Sequence, residues 1–146
     1  MVMQDMAGHL IRRLQQQSTQ IFAQRTQAAG YDLTSVQYAA LDAIANHPHV
    51  DQATVAEMIG YDRATIGGVI ERLETKGWVK RVVSTTDRRS RELSLTAKGN
   101  KIYLVLQPIV HDLQAAILYP LSAAEQESFV ELARQVVWHH KSADEA

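Results

Sequence analysis

The sequence predicts a mainly α-helical chain interrupted by one small β-hairpin, on three observations. Apolar residues recur at helical spacing over most of the 146 residues. The period changes to that of a strand only over residues 78–84 and 91–95, on either side of a polar turn. Gly30, Pro48, Gly60, Gly77 and Pro120 fall between the periodic segments, where stops belong.

A first helix is expected over residues 6–29, where Leu10, Leu14 and Ile21 repeat beside Ile11 and Phe22 and Gly30 supplies the stop. Thr34 caps a second helix bearing Val36, Tyr38, Leu41 and Ile44. That helix should end before Asn46-His47-Pro48, because the residue preceding a proline resists the α region. A third helix over 51–59 stops at Gly60. A fourth starts at Asp62 as its N-cap, carries Ile66, Val69, Ile70 and Leu73 on one face, and gives way at Gly77. Residues 78–84, WVKRVVS, read as a strand, 85–90 as a polar basic turn, and Arg91–Leu95 as the returning strand. Thr96 caps a fifth helix with Ile102, Leu106, Ile109 and Leu113, in which Pro108 marks a kink or a wanted bend. Past Pro120, Ser122 and Glu125 have capping-box spacing and open a sixth helix with the stripe Phe129, Leu132, Val136 and Val137. Fraying is expected after His140.

With 46% hydrophobic and 21% charged residues, the chain can build one compact domain, or a small domain with an appended dimerisation element. It has no cysteine, which excludes disulfides, thiol sensing and cysteine nucleophiles. The opening MVMQDMAGHLIRR lacks the apolar run of a signal peptide, and no apolar stretch approaches ~18 residues. A cytoplasmic protein with no membrane partner is therefore expected. The net charge of −1 conceals a segregation. Residues 60–101 hold ten Lys/Arg against five Asp/Glu, a net of +5, and the remainder holds five against eleven, a net of −6. Local charge decides where a polyanion docks.

Three features meet in that basic middle. Ala56, Gly60 and Ile66 have helix-turn-helix spacing: a small residue where two helices cross, a glycine for positive φ in the turn, an apolar pin on the second helix. The fourth helix can turn Asp62, Arg63, Ala64, Thr65, Gly68 and Arg72 away from the core and toward a major groove. The adjacent Gly67 and Gly68 cost a helix ~1 kcal/mol each, a local rule broken with no evident packing reason. Arg88, Arg89 and Arg91 crowd a narrow turn suited to phosphates or a minor groove. Each feature alone is common; their order is specific to a winged helix-turn-helix. No G-x-S-x-G, H-E-x-x-H, P-loop or Rossmann signature accompanies them, so no enzyme is expected. Of the histidines, His47 and His49 read as part of a turn about Pro48, and the adjacent His139 and His140 should point apart on a helix. His111 reads as buried or at a pocket edge, and with Asp112 is the seed of a metal site only in the competing metal-responsive reading.

The segment VAEMIGYDRATIGGVIERLETKGWVKRVVSTTDRRSRELSLTAKG resembles the MarR family of winged-helix regulators, with D-x-R at Asp87 and Arg89 and L-T-x-x-G at Leu95, Thr96 and Gly99. The resemblance extends over essentially the whole chain. It implies an obligate homodimer joined by helices in residues 1–30 and 100–146, with a DNA-binding domain over 31–99. The dimer would read a pseudo-palindromic operator in double-stranded DNA, Arg89 entering the minor groove and Asp87 orienting it. The opening GHLIRRLQQ further resembles the first helix of members that respond to aromatic carboxylates, in which the residue matching Arg12 holds the carboxylate. His9 and Gln16 flank Arg12 at i−3 and i+4 on one face. Members of that branch can carry a histidine where this chain has Ser18. The expected effector residues are His9, Arg12, Gln16, Ser18, Phe22, Tyr38 and His111, and the expected function is a repressor of an aromatic-compound catabolic or efflux operon, with no cofactor and no resident metal. The alternatives are a regulator answering to a metal or a non-acidic lipophile, a winged-helix protein-interaction module, and Arg12 and Arg13 as surface residues paired with acids of a second subunit.

Overall fold

A computed structural model describes residues 2–145 of the chain. After a 3₁₀ turn at Met3–Asp5, the elements are α1 (Ala7–Ala28), α2 (Ser35–Asn46), β1 (Val50–Asp51), α3 (Gln52–Ile59), α4 (Ile66–Thr75), β2 (Val79–Val83), β3 (Arg91–Leu95), α5 (Ala97–Leu118) and α6 (Ala123–Glu145). The predicted class is the observed one: mostly helical, with a small antiparallel sheet.

Side chains set the starts of α2, α3, α5 and α6. The Thr34 hydroxyl accepts from the Gln37 backbone N–H at 3.1 Å while the Thr34 N–H donates to the Gln37 side chain at 3.2 Å, a closed capping box on α2. Thr96 accepts from the Gly99 N–H at 2.9 Å to begin α5, and Ser122 and Glu125 exchange bonds of 3.2 and 2.8 Å ahead of α6. The Ser122 backbone N–H, then its hydroxyl, hold the Glu125 carboxyl below its ordinary range. Each such cap contributes ~1 kcal/mol.

The structure amends several boundaries. Asp51, expected as the first residue of α3, is its N-cap, accepting from the Thr54 N–H at 2.7 Å, and α2 runs through Asn46. Regular helix in α4 begins at Ile66, four residues beyond Asp62. The sheet has three strands in the order β1-β3-β2, where a two-stranded hairpin was expected. The added strand pairs Val50 with Leu93 and Asp51 with Glu92. It is too short to carry a period, and His49 enters it at φ +71, donating its N–H to the Leu93 carbonyl. On the other side Arg81 pairs with Leu93 and Val83 with Arg91. The segment after His140 stays helical to Glu145, and Ala146 lies outside the described residues.

The core joins Leu41 and Ile44 of α2, Val55 of α3, Ile66, Ile70 and Leu73 of α4, and Leu93 of β3, each at most 1% exposed. Each contributes roughly 1.5–3 kcal/mol by leaving water. The same core takes in Phe22 of α1 and Leu106, Val110 and Leu113 of α5, where α1 packs against α5. Beyond it the apolar supply outruns the available partners. On α6, Leu132, Val136, Val137 and Trp138 are 50–61% exposed. Ile11 of α1 is 63% and Leu104 of α5 67% exposed. Among the described residues no single helix is long and apolar enough to cross a membrane.

Candidate nucleic-acid interface and effector face

The helix-turn-helix follows from its three small or apolar positions. Ala56 is fully buried where α3 meets its neighbours, Gly60 turns the chain at φ +69, and Ile66 is 1% exposed at the foot of α4. The Tyr61 N–H reaches back to the Ala56 carbonyl at 2.8 Å, closing the end of α3. Asp62 then caps a turn instead of the helix itself. Its carboxylate accepts from the Ala64 N–H at 3.0 Å, and its carbonyl accepts from the Ile66 N–H at 3.0 Å. Thr65 takes the cap position with no side-chain cap bond. Arg63, Ala64 and Thr65 are therefore presented from this turn, all exposed, and Gly68 and Arg72 continue the exposed face. Glu71 shares that face, an acid the sequence reading passed over.

The wing tip is organised by oxygen acceptors. The buried Ser84 hydroxyl accepts from the Thr86 and Asp87 N–H groups at 3.2 and 3.3 Å. The Asp87 carboxylate accepts from the Arg89 backbone N–H at 3.0 Å. Asp87 thus orients Arg89 through the main chain; the bond is not to the guanidinium. Arg91 donates to the Arg88 carbonyl at 3.0 Å, which folds it back along the tip, and Arg88 and Arg89 are exposed. Among the described residues, Arg63, Arg72, Arg88, Arg89 and Arg91 take part in no ion pair. Their charge is uncommitted, as a phosphate-binding surface requires. A cleft of about 520 Å³ separates Asp51 and Gln52 from Asp87, Arg89 and Arg91, with Arg81 at its margin.

The framework contacts of two residues, Arg81 and Lys76, were not legible beforehand. Arg81 of β2 pairs with Glu74 of α4 at 2.7 Å and donates to Gln52 of α3 at 2.9 Å. Lys76 donates to the Asp32 carbonyl and lies 5.0 Å from the centre of the Trp78 ring, a cation–π contact.

On α1, the Arg12 Nη2 and His9 Nδ1 lie 3.3 Å apart on an exposed face shared with Gln16. Ser18 is half-buried and Phe22 buried. Phe22, Tyr38 and Tyr103 form a ladder across α1, α2 and α5, with ring centres 6.3 Å apart at each step. The Tyr103 hydroxyl donates to Asp42 at 2.6 Å and accepts from Asn46 at 3.4 Å. Burial first, then the charge of Asp42 and the neighbouring Tyr103, push the Tyr38 phenol up to about 12. Burial, then the bond to Asp42, raises Tyr103 as well. Tyr103 is not legible from the apolar period of α5, which runs through Ile102 and Ile109. The buried positions are Tyr103, Leu106, Val110 and Leu113, one residue further round the helix.

His111 departs from expectation: its side chain is 88% exposed, 3.6 Å from Asp112. The rings of His139 and His140 do not diverge but meet edge to face at 5.8 Å. Among the described residues no three His, Asp or Glu converge as a metal site. The chain has clefts of about 410 Å³ between α2 and α3, 460 Å³ beside Arg72 and Lys76, and the wing cleft already described. None of the three is lined by His9, Arg12, Gln16, Ser18, Phe22, Tyr38 or His111.

Comparison with known proteins agrees with this architecture. A model described as MarR family matches residues 31–90. The chain is 37% identical over 137 residues to the transcriptional regulator HosA of Escherichia coli O157:H7, spanning 94% of this chain and 98% of that one. It is similar to the PcaV transcriptional regulator from Streptomyces coelicolor in complex with its natural ligand, at 35% identity and a TM-score of 0.84, covering 94% of this chain and 95% of that one. It is similar also to BpsR of Bordetella bronchiseptica, whose structure concerns regulation of DNA binding by 6-hydroxynicotinic acid. There the identity is 27% and the TM-score 0.85, covering 94% of this chain and 96% of that one.

Proposed function

Because the chain belongs to the MarR family, whose members compared above are transcriptional regulators and not enzymes, we propose that it is a homodimeric repressor of an aromatic-compound catabolic or efflux operon, released from its operator by a small aromatic carboxylate. Residues 31–99 form the DNA-binding unit, and residues 1–30 and 100–146 form the dimerisation region. The turn and helix from Asp62 through Arg63, Ala64, Thr65, Gly68 and Arg72 enter the major groove. Arg88, Arg89 and Arg91 of the wing take phosphates and the minor groove, with Asp87 shaping the tip. Two such units related by a dyad read a pseudo-palindrome.

One observation carries the effector assignment: Arg12, with His9 against it, stands on an exposed face of α1 and among the described residues has no acidic partner. An unpaired guanidinium donates two parallel, charge-assisted bonds to a carboxylate and stays charged at any physiological pH. The 6-hydroxynicotinic acid named for BpsR, an aromatic carboxylate, supports the class. Arg12 and Phe22 lie ten residues apart on one helix, about 15 Å along its axis, longer than a hydroxybenzoate. A site using both Arg12 and the ladder of Phe22 and Tyr38 therefore lies between subunits, with Gln16, Ser18 and His111 along its wall. An effector that prefers one spacing of the two α4 helices by ~1–3 kcal/mol weakens DNA binding roughly 5- to 150-fold.

Calorimetry with hydroxybenzoates, hydroxycinnamates and hydroxynicotinates is expected to show binding by the wild type and a loss of at least tenfold in Arg12→Ala. On DNA, Arg89→Ala should weaken binding by ~1–3 kcal/mol and flatten its salt dependence. Equal effector affinity in Arg12→Ala would move the carboxylate clamp elsewhere.

A further inference from the structure

A single guanidinium ties the wing to both helices of the reading motif. On its face of β2, exposure rises from Val79, buried, through Arg81 to Val83, 47% exposed, so Arg81 is the outermost side chain on that face held against the helices. Its Nη2 meets the Glu74 carboxylate on the last turn of α4 at 2.7 Å, and its Nη1 donates to the Gln52 side chain on the first turn of α3 at 2.9 Å. The Gln52 amide nitrogen in turn lies 3.4 Å from where a Cβ on Gly67 would stand, so the clamp reaches the body of α4. The pair is shielded, at 29% and 31% side-chain exposure. A cleft of about 520 Å³, lined by Arg81 and Gln52, separates the wing tip from the start of α3.

We propose that Arg81 is a positioning residue for DNA binding: it spends its charge on Glu74 and Gln52 and thereby fixes the separation between α4 and the wing Arg89, without contacting DNA itself. The proposal rests on the reading that α4 and the wing engage one duplex together. Two contacts at fixed spacing bind well only if the protein already holds that spacing; a swinging wing loses that advantage on every association.

The charges make the prediction contrary to simple electrostatics. Removing the acid Glu74 beside a polyanion should tighten DNA binding if charge alone mattered. The clamp requires that it weaken. The probe is the duplex that the wild-type protein selects from a random library, with affinity measured across a salt series. We expect Glu74→Met and Arg81→Met each to weaken binding roughly 3- to 10-fold, the double variant to be no worse than either, and all three to keep the wild-type slope of log K against log salt. The charge-swapped pair Arg81→Glu with Glu74→Arg should recover most of the loss, and it carries the test if a single variant proves unstable in thermal unfolding. Tighter or unchanged binding by Glu74→Met overturns the proposal, as does a slope flattened by about 0.9 in Arg81→Met, the signature of one lost phosphate contact. Unchanged affinity in Arg89→Ala, run in the same series, would instead overturn the wing's role in DNA binding on which the clamp depends.

Discussion

A methyl group is a sensitive probe of how closely two segments approach, and the glycines of this chain divide sharply under it. A Cβ on Gly99 would stand 1.9 Å from the Trp78 carbonyl oxygen, so the start of α5 rests directly on the end of the α4–β2 connection. A Cβ on Gly68 would meet nothing within 4 Å. Gly99→Ala should therefore destabilise the protein by ~1–3 kcal/mol through overpacking. Gly68→Ala should stabilise it by ~0.5–1 kcal/mol, since alanine loses less backbone freedom in a helix. The second change should nonetheless weaken DNA binding if α4 lies close to a groove floor. Thermal midpoints and operator affinities of the two variants check this, and a Gly68→Ala that binds DNA as well as wild type would remove Gly68 from the interface. At this scale the sequence was partly legible. Gly60 stood out because a helix-turn-helix needs positive φ there, and the pairing of Gly67 with Gly68 stood out as a helix rule broken. That Gly99 is demanded by contact was not visible, since its neighbour is the backbone oxygen of Trp78, twenty-one positions away in the chain, whose approach only the fold creates.

Among the elements, those with a period of their own were legible and those made by pairing were not. The stripe Ile66, Val69, Ile70 and Leu73 marked the buried face of α4, and the alternation Arg91–Leu95 marked β3 at its observed bounds. β1 has two residues and exists only because β3 offers Leu93 and Glu92 as partners. The ladder of Phe22, Tyr38 and Tyr103 was half seen, because aromatic residues on three helices announce no common address. Its alkaline behaviour is a test of its burial. Unfolded tyrosine ionises near ~10, whereas burial and Asp42 push Tyr38 up to about 12. The folded state thus retains a proton that the unfolded state has released. Stability from this group is intact below about pH 10 and is lost as pH climbs from there toward 12. Phenolate absorbance and the thermal midpoint followed together should show that fall, and Tyr38→Phe should lessen it. An unchanged alkaline profile in Tyr38→Phe would assign the effect to other groups.

At the scale of the molecule, the ends of the chain hold apolar surface that the middle cannot cover. Leu132, Val136, Val137 and Trp138 of α6, Ile11 of α1 and Leu104 of α5 are all at least half exposed. A second copy is the proposed cover, and sedimentation at micromolar concentration should give about twice the 16.3 kDa chain mass. Replacing Leu132 and Val136 by glutamate should shift the population toward the single chain and lower the thermal midpoint, and a stable folded monomer of the wild type would sink this architecture. The apolar pattern of these helices was readable from sequence, but not what it faces, because a stripe buried within a chain and one buried between chains have the same period. This division of labour between ends and middle has a consequence in genetics. A chain crippled in its reading helix keeps intact ends and still enrols a healthy partner, yielding a mixed pair with one working half. In a cell carrying both alleles, such a defect would subtract from the healthy copy as well as from itself and behave as a dominant-negative trait. A truncation that removes α6 should be recessive.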